Sequence, residues 1–357
     1  MQNMLTPATP PVRGRPLRVG FLALSDAAPF AVAEEHGLFI KQGLRVQLSR
    51  EVGWATIREK IIYGELDAAQ CPGPMLWSTA VGVESVPCPV LTALVLSAHG
   101  NALTLSERLW DAGVRDARTL REEARRRSGE RRLTFGVVSA QSSHHVLLRS
   151  WLASGGINPD RDVRIVVVPP AQMFRNLSAG TIDGYCAGEP WNTLAVRERI
   201  GWCPTWSAAE ALTPVEKVLM VTEAFARSRS SEHQALVAAL AEACAWCDER
   251  ENREPLARLL ATSKYINQST HVISPSLSGT FDCGHGRVES VPDFHIFHRD
   301  GTNVPTQEKA ERLQREILDA GLLRPNQVHP DLPARLFRED LHHLSLRSAT
   351  THELISS

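Results

Sequence analysis

The sequence lacks any run of apolar residues long enough to cross a membrane. The segment CPVLTALVLSAHG (88–100) is broken by Ser97 and His99, well short of the roughly 18 consecutive apolar residues that a span requires. Residues 1–16 hold prolines and isolated apolar side chains, without the continuous apolar core of a signal peptide. The sequence therefore predicts a soluble chain, with no membrane partner, located in the cytoplasm.

The chain also has little net charge. Its formal charge is -1 and its pI is about 6.9, so it exerts no overall attraction on nucleic acid or anionic lipid. The basic run 121–132 is interrupted by glutamates and by Ser128 and Gly129, a pattern typical of a solvated helix end followed by a turn. Direct nucleic-acid binding is not expected.

A disulfide framework is missing as well. The seven cysteines form an odd set scattered through apolar segments, which indicates buried thiols in a reducing compartment. Cys244 and Cys247 form a CxxC, but it lies inside a helical pattern without a second ligand pair at zinc-site spacing. Cys283 and His285 are the only candidates to complete such a site. We therefore expect no metal site and no cofactor.

What is present is an alternation of strand and helix that occurs twice. Apolar strand patterns at 17–24, 43–52 and 67–71 enclose helical ones, the first of which Ser25 or Asp26 can cap. A second unit has strand patterns at 133–138, 163–170 and 183–188 around helices at 144–156 and 173–181. Two βαβαβ units joined by crossing strands predict an α/β bilobal fold with a cleft between the lobes.

The remaining segments complete the predicted domains. After residue 222 the pattern becomes largely helical, while 264–306 has little periodicity and stays unassigned. The sequence predicts two lobes: residues 17–96 with 222–350 form a discontinuous lobe 1, and residues 97–221 form lobe 2. Residues 1–16 and 351–357 are predicted to be flexible termini.

Several residues at the ends of these elements suit the binding of an anion. A desolvated anion needs a fixed cation and hydrogen-bond donors. Trp54 opens a helix directly after Gly53, and His144 or His145 opens the first helix of lobe 2. Lys217 lies where the chain returns to lobe 1. A core tryptophan, a surface histidine and an ordinary surface lysine are the alternatives for these positions.

The segment AGEPW (187–191) combines close backbone approach with a carboxylate. Gly188 lets a ligand come near the main chain, and Pro190 suits the start of a helix. Glu189 would repel a bound monoanion at short range, so we expect it to orient a neighbouring donor or cap a helix.

Four segments carry a family resemblance: residues 17–44, which begin LRVGFLALSDAAPF, then GWATIREKIIYGELDAAQ, LRSWLASGGINPDRDV and CAGEPWN. They resemble the nitrate-binding members of the periplasmic nitrate/bicarbonate transporter binding-protein family, from about residue 16 to at least 270. The resemblance implies an α/β bilobal fold of the periplasmic-binding-protein-like type II class. The resemblance implies that the anion is held by five residues: Trp54, Asn101, His144, Gly188 and Lys217. Asn101 departs from the glutamine usual in that family, and its shorter side chain is expected to reach the anion through water.

The same resemblance bears on the ligand and the role. Binders of bicarbonate tend to place an acceptor where nitrate binders place a cation, so Lys217 favours nitrate or nitrite. Because no export signal is seen, the chain resembles the cytosolic nitrate/nitrite sensors of NasS type. Their implied partner is an RNA-binding antiterminator of the ANTAR class (NasT-like), released when anion binds.

Two other functions stay open at this point. A substrate-binding component of a nitrate ABC transporter would need a signal sequence upstream of the given start. An enzyme on the same bilobal fold, acting on a small organic precursor, would need a positioned nucleophile or base. The sequence has no GxSxG, HExxH or phosphate loop, so no enzymatic activity is predicted.

Overall fold

The computed structural model describes residues 15–127 and 132–356, with 349–356 given as helical backbone. Within these residues, no helix combines the length and the apolar character needed to cross a membrane. The strands are, in chain order, β1 (Leu17–Leu22), β2 (Val46–Glu51), β3 (Ala68–Pro72), β4 (Val90–Leu91), β5 (Val95–His99), β6 (Asn101–Ser106), β7 (Thr134–Val137), β8 (Arg164–Val167), β9 (Gly184–Gly188), β10 (Gly201–Trp206), β11 (Lys217–Thr222), β12 (Thr280–Gly284), β13 (Arg287–Ser290) and β14 (His295–Ile296).

Helices separate most of these strands. They are α1 (Ala28–Glu35), α2 (Leu38–Lys41), α3 (Trp54–Ile62), α4 (Gly73–Val81), α5 (Glu107–Asp111), α6 (Ala117–Arg126), α7 (Ser143–Ser154), α8 (Met173–Ala179), α9 (Trp191–Arg197), α10 (Glu223–Ser228), α11 (Ser230–Asp248), α12 (Arg253–Ala261), α13 (Thr270–Ser278), α14 (Gln307–Asp319), α15 (Leu332–Leu336) and α16 (Glu339–Ser356). The long α11 packs against α1 and α16. Its CxxC cysteines are buried in this core, where Cys244 Sγ donates to the Leu96 carbonyl at 3.6 Å.

Most of the strands form two sheets, one in each lobe, while β12 and β13 form a separate two-stranded sheet. The first has the order β14-β5-β11-β3-β1-β2, with β4 pairing with β11, and the second has the order β10-β6-β9-β7-β8. In each sheet the βαβαβ unit is parallel, as β1 pairs with β2 and β3, and β7 with β8 and β9. Strand β11 joins the first sheet antiparallel to β3, and β6 joins the second sheet antiparallel to β9. The α/β bilobal fold predicted from the sequence is confirmed.

The chain crosses between the sheets at Gly100 and again between Trp206 and Lys217. Residues 97–99 and 217–221, assigned from the sequence to lobe 2, therefore pair within the first sheet. Strands β5 and β6 are separated by the single residue Gly100, whose φ is 95°, so no loop marks the crossing. Both crossings lie beside the junction of the lobes.

The segment 264–306, unassigned from the sequence, contains α13, the β12–β13 hairpin and β14. Phe281 and Cys283 of the hairpin pack in one apolar cluster with Val196 and Cys203 of the second lobe. This part of the chain therefore covers lobe 2, although the sequence placed all of 222–350 in lobe 1. In β12 the exposed Thr280 and Asp282 alternate with the buried Phe281 and Cys283, whereas β13 has no buried residue.

The predicted flexible termini are only partly described. Residues 1–14 and 357 lie outside the described residues. Residues 351–356 continue α16 rather than forming a flexible tail. Arg15 is anchored, because its guanidinium donates to both carboxylate oxygens of Asp67, at 2.6 and 2.8 Å.

Candidate functional site

The five residues predicted to hold an anion all lie at the ends of elements beside the lobe junction. Trp54 begins α3, Asn101 begins β6, His144 lies in the first turn of α7, Gly188 ends β9 and Lys217 begins β11. All five are buried. Strand ends and helix starts converge there because parallel strands of both sheets present their carboxyl ends to the junction.

Direct contacts link these residues in two groups. The Lys217 ammonium lies 5.5 Å from the centroid of the Trp54 ring. Asn101 and Gly188 are opposite each other in the β6–β9 ladder. The groups meet through Asp26, whose Oδ2 lies 2.7 Å from Lys217 Nζ and 3.5 Å from the position of a Cβ built on Gly188.

Lys217 lies between two buried carboxylates. Its Nζ is 2.7 Å from Asp26 Oδ2 and 2.6 Å from Glu216 Oε1, and the lysine side chain has no exposed surface. Burial lowers the pKa of Lys217, but the two carboxylates outweigh it and raise the pKa above its usual value. The ammonium therefore stays charged, and one of its three N–H groups is left for a ligand.

His144 approaches the same carboxylate from lobe 2. Its Nε2 lies 3.8 Å from Glu216 Oε1, and Ser143 Oγ donates to that oxygen at 2.8 Å. Burial and the nearby Lys217 charge hold the pKa of His144 well below its usual value. The imidazole is therefore neutral near pH 7, with one N–H donor and one acceptor nitrogen.

Several polar atoms around this point are buried without a hydrogen-bond partner among the described residues. They are Trp54 Nε1, Asn101 Oδ1 and both ring nitrogens of His144. A buried polar group left unpaired costs about 1–3 kcal/mol. Such a concentration of unpaired groups around a buried ammonium suits a small polar guest that accepts hydrogen bonds.

Gly188 keeps the junction open for close approach. A Cβ there would lie 3.4 Å from Asn101 Oδ1 and 3.5 Å from Asp26 Oδ2, so a side chain would occupy the space between these polar atoms. The next residue joins the lobes directly, because the Ser25 N–H donates to the Glu189 carbonyl at 2.7 Å. The structure thus has the lobes in contact around the site.

Glu189 has the helix-capping contact expected from the sequence. Its Oε2 accepts a hydrogen bond from the Thr193 N–H at 3.2 Å, within the first turn of α9. Burial raises the pKa of Glu189 to about 7. Its carboxyl group is therefore far more easily protonated than an exposed glutamate.

Sequence reasoning missed Asp26 and Glu216. Asp26 was expected to cap the following helix, yet α1 has no side-chain cap, and Asp26 instead binds Lys217 and accepts from Gln70 Nε2 at 2.7 Å. Its position directly after the first strand was the available signal. Glu216 precedes Lys217 in the sequence, and nothing in an isolated Glu-Lys pair indicates that both side chains face one buried point.

The inner site is enclosed, because all five predicted residues are buried. A cavity of about 20 Å³, room for about one water-sized group, borders Asn101, Ser143 and Glu216 on one side of it, and the other four predicted residues do not line this cavity. A wider cleft of about 630 Å³ lies between Leu22 and Arg50 of lobe 1 and Pro169 and Trp191 of lobe 2. Because it is enclosed, the inner site suits a compact ligand rather than a long organic one.

These features define a class: a bilobal α/β ligand-binding protein with a buried cation where the lobes meet. The profile of the NMT1-like family matches residues 11–261. The chain belongs to this family.

Named relatives share most of the chain. It is 36% identical over 328 residues to the nitrate import ATP-binding protein NrtC of Synechocystis, covering 91% of this chain and 49% of the relative. It is 40% identical over 293 residues to the bicarbonate transport ATP-binding protein CmpC of Synechocystis, covering 82% of this chain and 44% of the relative. The chain thus spans about half the length of these two relatives.

A solved relative has the same architecture. The crystal structure of the periplasmic nitrate-binding protein NrtA from Synechocystis superimposes with a TM-score of 0.86 at 25% identity, covering 93% of this chain and 88% of that one. The desulfurization enzyme DSZB shares the fold alone, with a TM-score of 0.58 at 15% identity. The fold is therefore that of a substrate-binding protein, and it also occurs in an enzyme.

Proposed function

We propose that this protein binds nitrate or nitrite at Lys217 and acts as a cytoplasmic sensor of that anion. The observation that carries the proposal is the buried Lys217 ammonium surrounded by unpaired polar atoms of Trp54 and His144. A charged donor and neutral N–H groups in a water-poor site are what an inorganic oxyanion requires. The resemblance to proteins named for nitrate binding supports the same ligand.

The choice of nitrate over bicarbonate rests on which groups remain free. Asp26 and Glu216 are already engaged by Lys217, so donors predominate among the groups left over. Nitrate and nitrite only accept hydrogen bonds, whereas bicarbonate also carries an O–H that needs an acceptor. Because the relatives also include one named for bicarbonate transport, the resemblance supports an inorganic anion, and the site chemistry favours nitrate over bicarbonate.

The regulatory part of the proposal is the release of an RNA-binding antiterminator of the ANTAR class. An anion contacted from both lobes favours the closed arrangement, and it can shift only an equilibrium whose two states it binds unequally. If the antiterminator binds the open form, bound anion lowers the affinity for the antiterminator. Bound antiterminator lowers the affinity for the anion by the same factor, typically about 5- to 150-fold. The free cysteines of the described chain, most of them buried, suit a reducing cytoplasm.

Size exclusion of the chain mixed with its antiterminator tests the proposal. We expect a complex without anion that dissociates under saturating nitrate or nitrite, with chloride at equal ionic strength as the control. A complex that survives nitrate unchanged, or that never forms, contradicts the sensor role.

A second candidate is the substrate-binding component of a nitrate transporter, which the names of the relatives favour. Nitrate binding without any antiterminator complex is the result expected for it. An enzymatic role has less support, because the sequence relatives are named for nitrate import and bicarbonate transport, and the enzyme DSZB shares the fold alone at 15% identity.

A further inference from the structure

A strip of lobe 2 outside the anion site concentrates positive charge. Two cavities of about 400 and 330 Å³ share Arg132. The larger borders β8, and the smaller lies between α6 and residues 156–162. They are lined by six arginines: Arg121, Arg125, Arg132, Arg149, Arg161 and Arg164. We call this strip the β8 surface. Only two aspartates, Asp160 and Asp162, lie among them, although the whole chain has a net charge of -1.

Those aspartates neutralise only part of the charge. Arg149 binds Asp160 through two hydrogen bonds of 2.7 Å, and Arg161 binds Asp162 at 2.9 Å. Within residues 15–127 and 132–348, Arg121, Arg125 and Arg164 form no ion pair. The β8 surface therefore keeps a positive field that a partner of opposite charge can use.

The strand in the middle of this surface is an edge strand. β8 pairs only with β7 in the second sheet. Arg164 and Val168 donate their backbone N–H groups inward, to Leu133 and Val137, at 2.8 and 2.9 Å. Because backbone groups alternate along a strand, those of Ile165 and Val167 point outward. Val167 is 58% exposed, so the edge offers both backbone hydrogen bonds and an apolar contact.

The β8 surface also reaches the anion site through one turn of helix. His145 and Ala140 line its larger cavity, and His145 Nδ1 lies 2.8 Å from the Ala140 carbonyl. The preceding residue, His144, is fully buried beside Glu216. A group bound against His145 therefore touches the same turn of α7 that contacts the anion.

We propose that the β8 surface docks an acidic, extended segment of a protein partner, which adds as a strand to β8 while its carboxylates bind Arg121, Arg125 and Arg164. This assignment rests on the proposed function, in which the partner is the antiterminator. Strand addition supplies main-chain hydrogen bonds for affinity, and alternate side chains supply specificity. Carboxylates bind guanidinium groups in bidentate geometry.

The probe that tests the surface is a ten-residue peptide alternating glutamate and valine, titrated by calorimetry at low salt. The variant Arg125→Glu/Arg164→Glu, at two exposed positions, should weaken peptide binding at least tenfold. The control Arg312→Glu/Arg315→Glu reverses two exposed charges on α14 and should change it less than twofold. Nitrate affinity should be the same in all three proteins. Amide exchange at Ile165 and Val167 should slow when peptide binds.

Equal loss of binding in both variants, no slowing at β8, or binding of a single-stranded RNA oligonucleotide in place of the peptide would overturn the proposal. Competition separates this outcome from failure of the sensor role. If the antiterminator displaces the peptide, both proposals stand. If the peptide binds as described and the antiterminator does not bind, the surface stands and the sensor role is wrong.

Discussion

Glu216 and Lys217 are consecutive in the chain, yet their side chains meet at one buried point, with Nζ 2.6 Å from Oε1. Neighbouring residues inside a strand face opposite sides of the sheet. Here Lys217 is the first residue of β11, Glu216 precedes it, and the pairing with β5 shifts register directly after Lys217. This irregularity gives the site two carboxylates for one ammonium.

Replacement of Lys217 by alanine should weaken both folding and anion binding. Removing one partner of a buried ion pair leaves Asp26 and Glu216 uncompensated, which costs about 3–5 kcal/mol of folding stability. Nitrate affinity should fall by about 2–5 kcal/mol. Urea unfolding and calorimetric titration measure the two effects. Unchanged nitrate affinity in the folded variant would remove Lys217 from the site.

Trp54→Phe separates the indole N–H from the ring. Trp54 Nε1 is buried without a hydrogen-bond partner among the described residues, so the substitution loses no hydrogen bond of the protein, and the free energy of unfolding should fall only by the cost of the cavity that the smaller ring leaves. If the N–H donates to the anion, nitrate affinity should fall by about 1.5–3 kcal/mol, the range for a hydrogen bond to a charged group. The buried Trp77, whose Nε1 donates to Gln314 at 2.9 Å, provides the control variant Trp77→Phe, which should lose stability without losing affinity.

Nitrate binding should take up a proton at Glu216. Burial raises the pKa of Glu216 above its usual value, although Lys217 opposes this effect. Asp26, Lys217, Ser143 and His144 surround the carboxyl group, and a bound anion adds a negative charge that raises its pKa further.

Protonated Glu216 therefore favours the bound state, and nitrate affinity should fall as pH rises, by at most about tenfold per pH unit for one proton. Calorimetry in two buffers of different ionisation enthalpy counts the protons. Glu216→Gln, which keeps an acceptor for Ser143, should abolish the uptake. Identical heats in both buffers would show that no proton is bound.

Glu189→Gln should flatten the dependence of stability on pH. The pKa of Glu189 rises from 4.5 to about 7 on folding because the group is buried, so the folded chain binds more protons than the unfolded chain in that interval. Its contribution is fully present below about pH 4.5 and is lost as pH rises through about 7, a difference of about 3 kcal/mol. Urea unfolding of both proteins at pH 5 and pH 8 checks this. An equal change in the free energy of unfolding between the two pH values for both proteins would contradict it.

The fold could be predicted from the sequence wherever periodicity was strong. Both βαβαβ units follow from apolar runs and helix patterns, and β1, α3, β7 and α7 all lie within a few residues of their predicted bounds. The β12–β13 hairpin could not be predicted, since its stability comes from Phe281 and Cys283 packing on another lobe. The lobe boundaries were misplaced because only one residue, Gly100, separates β5 from β6, so no loop in the sequence marks the crossing.

The candidate site could also be predicted from the sequence only in part. Trp54, His144 and Gly188 stand at element ends that local patterns reveal, and the structure places them at one junction with Asn101 and Lys217. The two carboxylates around Lys217 could not be found, because their roles depend on tertiary placement. Asp26 lies 191 positions from Lys217, and no local pattern links the two.

One calorimetric titration with nitrate, nitrite, bicarbonate and sulfate tests the central claim most directly. Because a single buried ammonium and neutral donors surround the inner site, nitrate or nitrite should bind with measurable heat, at one site per chain. Bicarbonate and sulfate should give none. Donors at the site outnumber the acceptors, Asn101 Oδ1 and one ring nitrogen of His144, which disfavours the O–H of bicarbonate, and sulfate brings a second negative charge. Bicarbonate binding as tightly as nitrate, or no heat with either nitrogen oxyanion, would contradict the account.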